Sequence, residues 1–272
     1  MTEVRQGPAW RWCSLGFAAI LLTMVAVPML EAREHYKFSE DFEVSKLTDL
    51  LREDKSRWTH YQNTFPQNKA EIVPEAAPSG GSALRFFAVP STKKVSKSDI
   101  EREGFELRSG QELRIAALFF LPPNVDLKDL FLIDIECREC WPRDSIYPNQ
   151  SPGVRLKLRD RDGSPSVERR KIGQPDMRND LQESVVLPRG RWFNLEWRLR
   201  LSADENGSSE ILIDNKRIYT GRGPTLPSSQ SFEKWGIVLR DIMYDRFQIG
   251  ITANSTPSPI ELLIDDVSFQ WE

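Results

Sequence analysis

Residues 193–201 read FNLEWRLRL, and here Phe193, Leu195, Trp197, Leu199 and Leu201 alternate without a break with Asn194, Glu196, Arg198 and Arg200. Successive side chains of an extended chain point to opposite sides, so a period of two puts large apolar groups on one face and polar groups on the other. That is the pattern of a half-buried strand; a helix would repeat its apolar positions every three to four residues. The same rhythm recurs in GVRLKLRD (153–160), where Val154, Leu156 and Leu158 alternate with Arg155, Lys157 and Arg159. It returns in RFQIGITAN (246–254), with Phe247, Ile249 and Ile251 on one side and Arg246, Gln248 and Thr252 on the other. ILIDNKRIYTG (211–221) reads as a hairpin turning at Asp214-Asn215, residue types that tolerate a tight turn. IELLIDDVSFQ (260–270) supplies a last strand with β-branched and aromatic content.

Helical periodicity is scarce. In SKLTDLLRED (45–54), Leu47, Leu50 and Leu51 share a face behind Ser45, which predicts a short helix or turn with Ser45 as its N-cap. PEAAPSGGS (74–82), LPPNVDLKD (121–129), WPRDSIYPNQSPG (141–153) and STPSP (255–259) mark loops. No repeat and no long linker divides the chain. Strands, turns and one short helix therefore predict an all-β chain folded as a two-sheet antiparallel β-sandwich. With 272 residues, eight Trp and fourteen Phe, one wide aromatic core between sheets suffices.

The first residues follow another rule. Arg5 and Arg11 precede an uncharged apolar run from Trp12 to Leu30, closed by Ala32. This is the order of a secretory signal, and Pro28 fits the break before a cleavage site. The competing reading is an uncleaved membrane anchor, because the run approaches the ~20 residues that span a bilayer. Residues 1–32 are thus expected as signal peptide or N-terminal anchor, and residues 33–272 as one secreted or periplasmic domain. Residues 1–32 hold two basic and two acidic groups, so the remainder keeps the whole chain's formal charge of -3. No global basic field is present to recruit nucleic acid. Cys13 lies in the apolar run, leaving Cys137 and Cys140 in ECREC. Zinc needs about four ligands and no second cysteine pair follows. After export a short-loop disulfide is the expected state.

The segments FSEDFE (38–43), SGGSALRF (79–86), GRWFNLEWRLRLSADENGSSEILIDNKRIYTG (190–221) and YDRFQIGITANSTPSPIELLIDDVSF (244–269) resemble, in this order, the concanavalin A-like jelly roll of heparin-lyase-type polysaccharide lyases and laminin-G-like domains. The likeness covers most of residues 38–270 and is strongest from Arg189 onward. It implies a groove on a concave sheet that binds polysaccharide. The polar strand positions fit an anionic glycan: Arg155, Lys157 and Arg159, with Arg170 and Lys171 in ERRKIG, and Arg246 with Gln248. Arginine forks engage carboxylates or sulfates in pairs of hydrogen bonds, and lysines add point charge. Asp134 and Glu136 alternate with Ile133 and Ile135, so they share the polar side, where they are placed to bind sugar hydroxyls.

Elimination at a uronate needs a group that neutralises the carboxylate, a base for the C5 proton and an acid for the leaving oxygen. Lyases of this type use Tyr or His for the proton steps. Tyr244 is the first candidate, on the side of Arg246 and Gln248 if the alternation extends that far. His60, in RWTHYQN, is the second. The chain lacks the Gln-x-His and Tyr-x-Lys motifs of such lyases, which leaves non-catalytic carbohydrate binding or a cell-envelope interaction as alternatives. Asp134 and Glu136 also resemble the paired carboxylates of jelly-roll glucanases, without the surrounding aromatic pattern. Related jelly rolls hold a structural calcium between an early acidic segment and the last strand. The resemblance places that role on Glu40, Asp41, Glu43, Asp265 and Asp266, which offer the oxygen ligands calcium prefers. Asn149, Asn206 and Asn254 each begin a glycosylation sequon.

Overall fold

Each alternating stretch becomes a strand in the computed structural model, which describes residues 36–145, 150–181 and 185–272. Along the described residues run β1 (Tyr36–Glu40), β2 (His60–Asn63), β3 (Lys69–Val73), β4 (Ala83–Ala88), β5 (Ser98–Leu107), β6 (Glu112–Phe120) and β7 (Leu130–Glu136). They are followed by β8 (Gly153–Leu158), β9 (Pro165–Glu168), β10 (Trp192–Arg200), β11 (Ser208–Ile213), β12 (Lys216–Arg222), β13 (Tyr244–Asn254) and β14 (Ile260–Trp271). All strand pairings between them are antiparallel. One sheet runs β12-β11-β10-β6-β14-β4-β3, with β1 also paired to β14; the other runs β2-β5-β13-β7-β8-β9. The chain is thus a two-sheet antiparallel sandwich, as the alternation predicts.

Apolar residues from both sheets fill the space between them. Phe193, Leu195, Trp197 and Leu199 of β10 are buried, as are Val154, Leu156 and Leu158 of β8 and Phe247, Ile249 and Ile251 of β13. An aromatic chain crosses the core from Phe38 through Trp58 to Phe247 and Phe269, with ring centroids 5.3, 5.8 and 4.7 Å apart. Edge and offset contacts of this kind add to the burial of large rings. The indole Nε1 of Trp197 donates to Ser209 Oγ at 2.8 Å, so this ring buries no unmet donor.

Asp214 and Asn215 adopt positive φ of 48° and 64° and link β11 to β12, the geometry of a two-residue hairpin turn. The expected helix shortens to one 3-10 turn, Leu47–Asp49, preceded by an extended Lys46 with no side-chain cap. Ser45 is therefore not its cap. Leu50 turns into the core and Leu51 bridges to Trp58, so packing wins over helical continuation. Cys137 and Cys140 form a disulfide just beyond β7. The expected signal or anchor, residues 1–32, lies outside the described residues. Among the described residues no helix is long and apolar enough to cross a membrane.

Candidate functional site

Strand pairing places six polar residues in one row across the six-stranded sheet, one from each strand. His60 pairs with Glu101, Glu101 with Gln248, Gln248 with Asp134, Asp134 with Arg155 and Arg155 with Glu168. Directly paired residues share a face, so all six point away from the inter-sheet core. At 4.8 Å per strand the row is about 24 Å long, the reach of an oligosaccharide rather than of one sugar. A second row beside it carries Glu103, Arg246 and Glu136. Although the row lies on the outer side of the sheet, Gln248 is 0%, Asp134 1% and Glu101 5% exposed.

Charges on this face are interlocked. Arg155 Nε donates to Glu168 Oε2 at 2.8 Å, and Lys157 reaches Asp129 at 2.7 Å. Glu136 takes Lys171 on one oxygen and Arg246 on the other, the latter at 3.2 Å. Burial acts to raise the Glu136 carboxyl, but Lys171, Lys97 and Arg246 outweigh it and hold the group below its ordinary range. Thr252 Oγ1 donates to Asp134 at 2.8 Å. Beneath the guanidinium of Arg155 lies the ring of Phe131, 4.2 Å from centroid to Cζ. The expected cationic surface is therefore a lattice of alternating signs, which offers hydrogen bonds of both polarities to sugar hydroxyls.

Two features of the lattice are unfinished. Asp99 is fully buried, and neither carboxylate oxygen has a hydrogen-bond partner. Burial pushes its pKa well above the ordinary value, opposed by Lys97 and reinforced by Asp134 and Glu101. Arg246 Nε is likewise buried without a hydrogen-bond partner. Depressions of about 520 and 330 Å³ flank the row, the first reaching Arg246 and Arg138, the second Arg155, Glu168 and Lys171; Trp141 borders both. A larger depression of about 710 Å³ lies on the outer face of the eight-stranded sheet beside Arg114, Arg198 and Trp271. Glu196 bridges Arg114 and Arg198 there, and none of its lining residues has a buried polar atom left unmet. The eight-stranded sheet also carries unmet atoms, Asn194 Oδ1 and Asp265 Oδ1, away from that depression; what sets the six-stranded face apart is that its unmet atoms adjoin one continuous, buried and ion-paired polar row.

Of the expected site residues, Arg155, Lys157, Asp134, Glu136, Arg246 and Gln248 come together on this face. Lys171 reaches it through Glu136, and Arg170 lies at its rim, 3.9 Å from Glu168 and 3.6 Å from Asp176. His60 is exposed on the edge strand β2, at the end of the row. Two expectations need correction. Arg159 lies beyond the end of β8, exposed in the turn before Ser164, because the strand closes at Leu158. Tyr244 does not face the groove. The register shifts between Tyr244 and Arg246, so the alternation breaks and the ring turns into the core. There it is fully buried, donates to the Thr225 carbonyl at 2.7 Å, and has its pKa pushed far up by burial.

The five expected calcium ligands split. β1 and β14 are neighbours, as the resemblance implies. Glu40, however, is engaged by Arg57 at 2.5 and 3.0 Å and by the Phe42 amide. Asp41 and Glu43 accept backbone amides of Glu43 and Ser82. Asp265 Oδ1 is buried without a partner, and its pKa is raised to about 6, first by burial and then by Asp266, Glu43 and Asp41. Among the described residues no three acidic, histidine or cysteine side chains are arranged to hold a metal. Asn254 is buried and its amide donates to Ala88 and Ser258 carbonyls, so that sequon is closed to a glycan, whereas Asn206 is exposed; Asn149 lies outside the described residues.

Sequence reasoning missed Gln62, Asp99, Glu101, Glu103 and Glu168. The signal in DIERE (99–103) was alternation of charge with Ile100 and Arg102, hidden because Arg102 is itself charged. Arg102 faces inward, 3.9 Å over the Phe38 ring, and donates to the Arg57 carbonyl and the Tyr36 hydroxyl.

No protein family matches the chain, and no curated protein matches it in sequence. Solved structures do match the fold. An endo-β-1,4-glucuronan lyase from the fungus Trichoderma reesei superposes with a TM-score of 0.59 at 12% identity, over 85% of this chain and 94% of that one. The cellulose-induced protein Cip1 gives 0.54 at 13% identity, over 85% and 96%. The alginate lyase Aly36B gives 0.51 at 10% identity, over 86% and 96%. The chain has a polysaccharide-lyase-like jelly-roll fold. At these identities the likeness speaks for fold alone, because one fold hosts many activities.

Proposed function

We propose that this protein binds a polysaccharide along the polar face of the six-stranded sheet, and that its ligands are glycans containing uronic acid. The observation that carries this reading is the row from His60 to Glu168, long enough for several sugars and bordered by the unmet Asp99 and Arg246. Lyases for glucuronan and alginate among the structural neighbours support the ligand class. β-Elimination is the activity such a face would perform, with Arg246 neutralising the uronate, His60 at the rim taking the C5 proton, and water protonating the leaving oxygen as the C4–O bond breaks. A second reading, binding without cleavage, is favoured by Tyr244, whose inward turn removes the expected phenol. The export reading rests on the Arg5/Arg11 and Trp12–Leu30 pattern, and the Cys137–Cys140 disulfide suits an oxidising compartment.

The test is a panel of uronic-acid polymers and neutral glucans incubated with purified protein. Binding is followed by calorimetry, and cleavage by ultraviolet absorbance of the new C4–C5 double bond. Binding to a uronic-acid polymer is expected, and absorbance growth selects elimination over binding alone. Silence with every polymer in both measurements overturns the reading.

A further inference from the structure

Glu101 sits second in the row, held by two hydrogen-bond donors, one from each neighbouring strand, and faced by a guanidinium. Its Oε2 accepts from Gln62 Nε2 at 2.7 Å on β2 and from Gln248 Nε2 at 2.8 Å on β13. Its Oε1 faces Arg246 Nε at 3.5 Å, too far for a hydrogen bond; that Nε makes no hydrogen bond at all, and Glu103 Oε1 stands 4.0 Å from it. The orientation of the Gln248 amide is set from behind: Lys97 Nζ donates to Gln248 Oε1 at 3.2 Å, which leaves Nε2 aimed at Glu101. Two amide donors and a guanidinium converging on one point form a receptor for a carboxylate. Glu101 fills that receptor without completing it, since Arg246 Nε stays unmet.

We propose that Gln62, Gln248 and Arg246 form a carboxylate-binding pocket which Glu101 occupies, and that the carboxylate of an acid sugar binds by displacing it. Glu101 thereby sets how strongly the face distinguishes acid from neutral sugars. The inference rests on the polysaccharide reading and assigns its specificity to one side chain. A uronate entering the row must compete with a tethered carboxylate for the same donors and meets its charge at close range. A neutral sugar needs none of these donors for charge and meets no such competitor.

Calorimetric titration of wild type, Glu101→Ala and Glu101→Gln tests this with two probes of equal length, a β-linked glucuronic acid oligosaccharide and a β-linked glucose oligosaccharide. Removing the internal competitor in Glu101→Ala is expected to tighten acid-probe binding about tenfold. Glu101→Gln, which keeps the shape and loses the charge, should fall between, and neutral-probe affinity should move by less than about twofold. Glu101→Ala should also gain thermal stability from added formate and not from chloride at equal ionic strength. Should Glu101→Ala fail to fold, Glu101→Gln carries the comparison. Unchanged or weaker acid-probe binding in the variants, with neutral binding retained, overturns the pocket alone. Absence of binding to either probe in every variant overturns the polysaccharide reading with it.

Discussion

Asp265 is a residue at which burial and charge are poorly reconciled. Its pKa of about 6 in the folded chain lies above the ordinary 3.8. The folded state therefore holds a proton between these values that the unfolded state has released, and stability falls as pH rises through that window. Calorimetry with chelator present should show a melting temperature that declines from pH 4 to pH 7, and Asp265→Asn should flatten the decline. A steep decline preserved in Asp265→Asn would place the titration elsewhere. Single residues were also where the sequence was hardest to read. Arg155, Lys157, Asp134, Glu136, Arg246 and Gln248 were legible because strict alternation assigns a face. Tyr244, two positions before Arg246, was not, because a register shift is a tertiary event that leaves no mark in local pattern. Glu101 escaped for the opposite reason: an inward arginine made its strand look charged throughout.

Among the elements, the segment after β7 links the fold's edge to the site. The disulfide closes a four-residue loop in which Arg138 reaches Glu103, while the Arg138 and Glu139 amides donate to Asp245 at 2.7 and 3.1 Å. Trp141 follows and packs edge-on against Phe232 at 5.3 Å. Cross-linking so short a loop restricts the unfolded chain by about 2 kcal/mol. Replacing both Cys137 and Cys140 by Ser should lower the melting temperature accordingly, as should reductant on the wild type, and weaken oligosaccharide binding at the Trp141 rim. Unaltered stability in both experiments would make the bond incidental. The strands, the hairpin at Asp214-Asn215 and the ECREC pair could be read from residue pattern alone. The short helix could not, since Leu50 answers to the core rather than to its own turn.

Over the whole molecule, the two sheets share one aromatic core and differ in their outer faces. The eight-stranded sheet carries exposed arginines that find carboxylates: Arg114 and Arg198 share Glu196, and Arg217 reaches Glu210 at 3.2 Å. The six-stranded sheet buries its ion pairs and leaves Asp99 and Arg246 with unmet atoms beside one continuous polar row, whereas the unmet Asn194 and Asp265 oxygens of the eight-stranded sheet lie outside its arginine-lined depression. Buried polar groups without partners are costly to fold around, and a ligand that satisfies them offsets that cost. The alternation made both faces visible in the sequence; which one is the site depends on burial and register, which only the folded chain contains. Matched titrations of Arg246→Ala and Arg198→Ala with the tightest-binding oligosaccharide set the two faces against each other. Losing a buried charged contact to the ligand costs about 2 kcal/mol or more, so Arg246→Ala should weaken binding at least tenfold, while Arg198→Ala leaves it unchanged. Weakening by Arg198→Ala with Arg246→Ala at wild-type affinity would move the glycan to the other sheet and contradict the account.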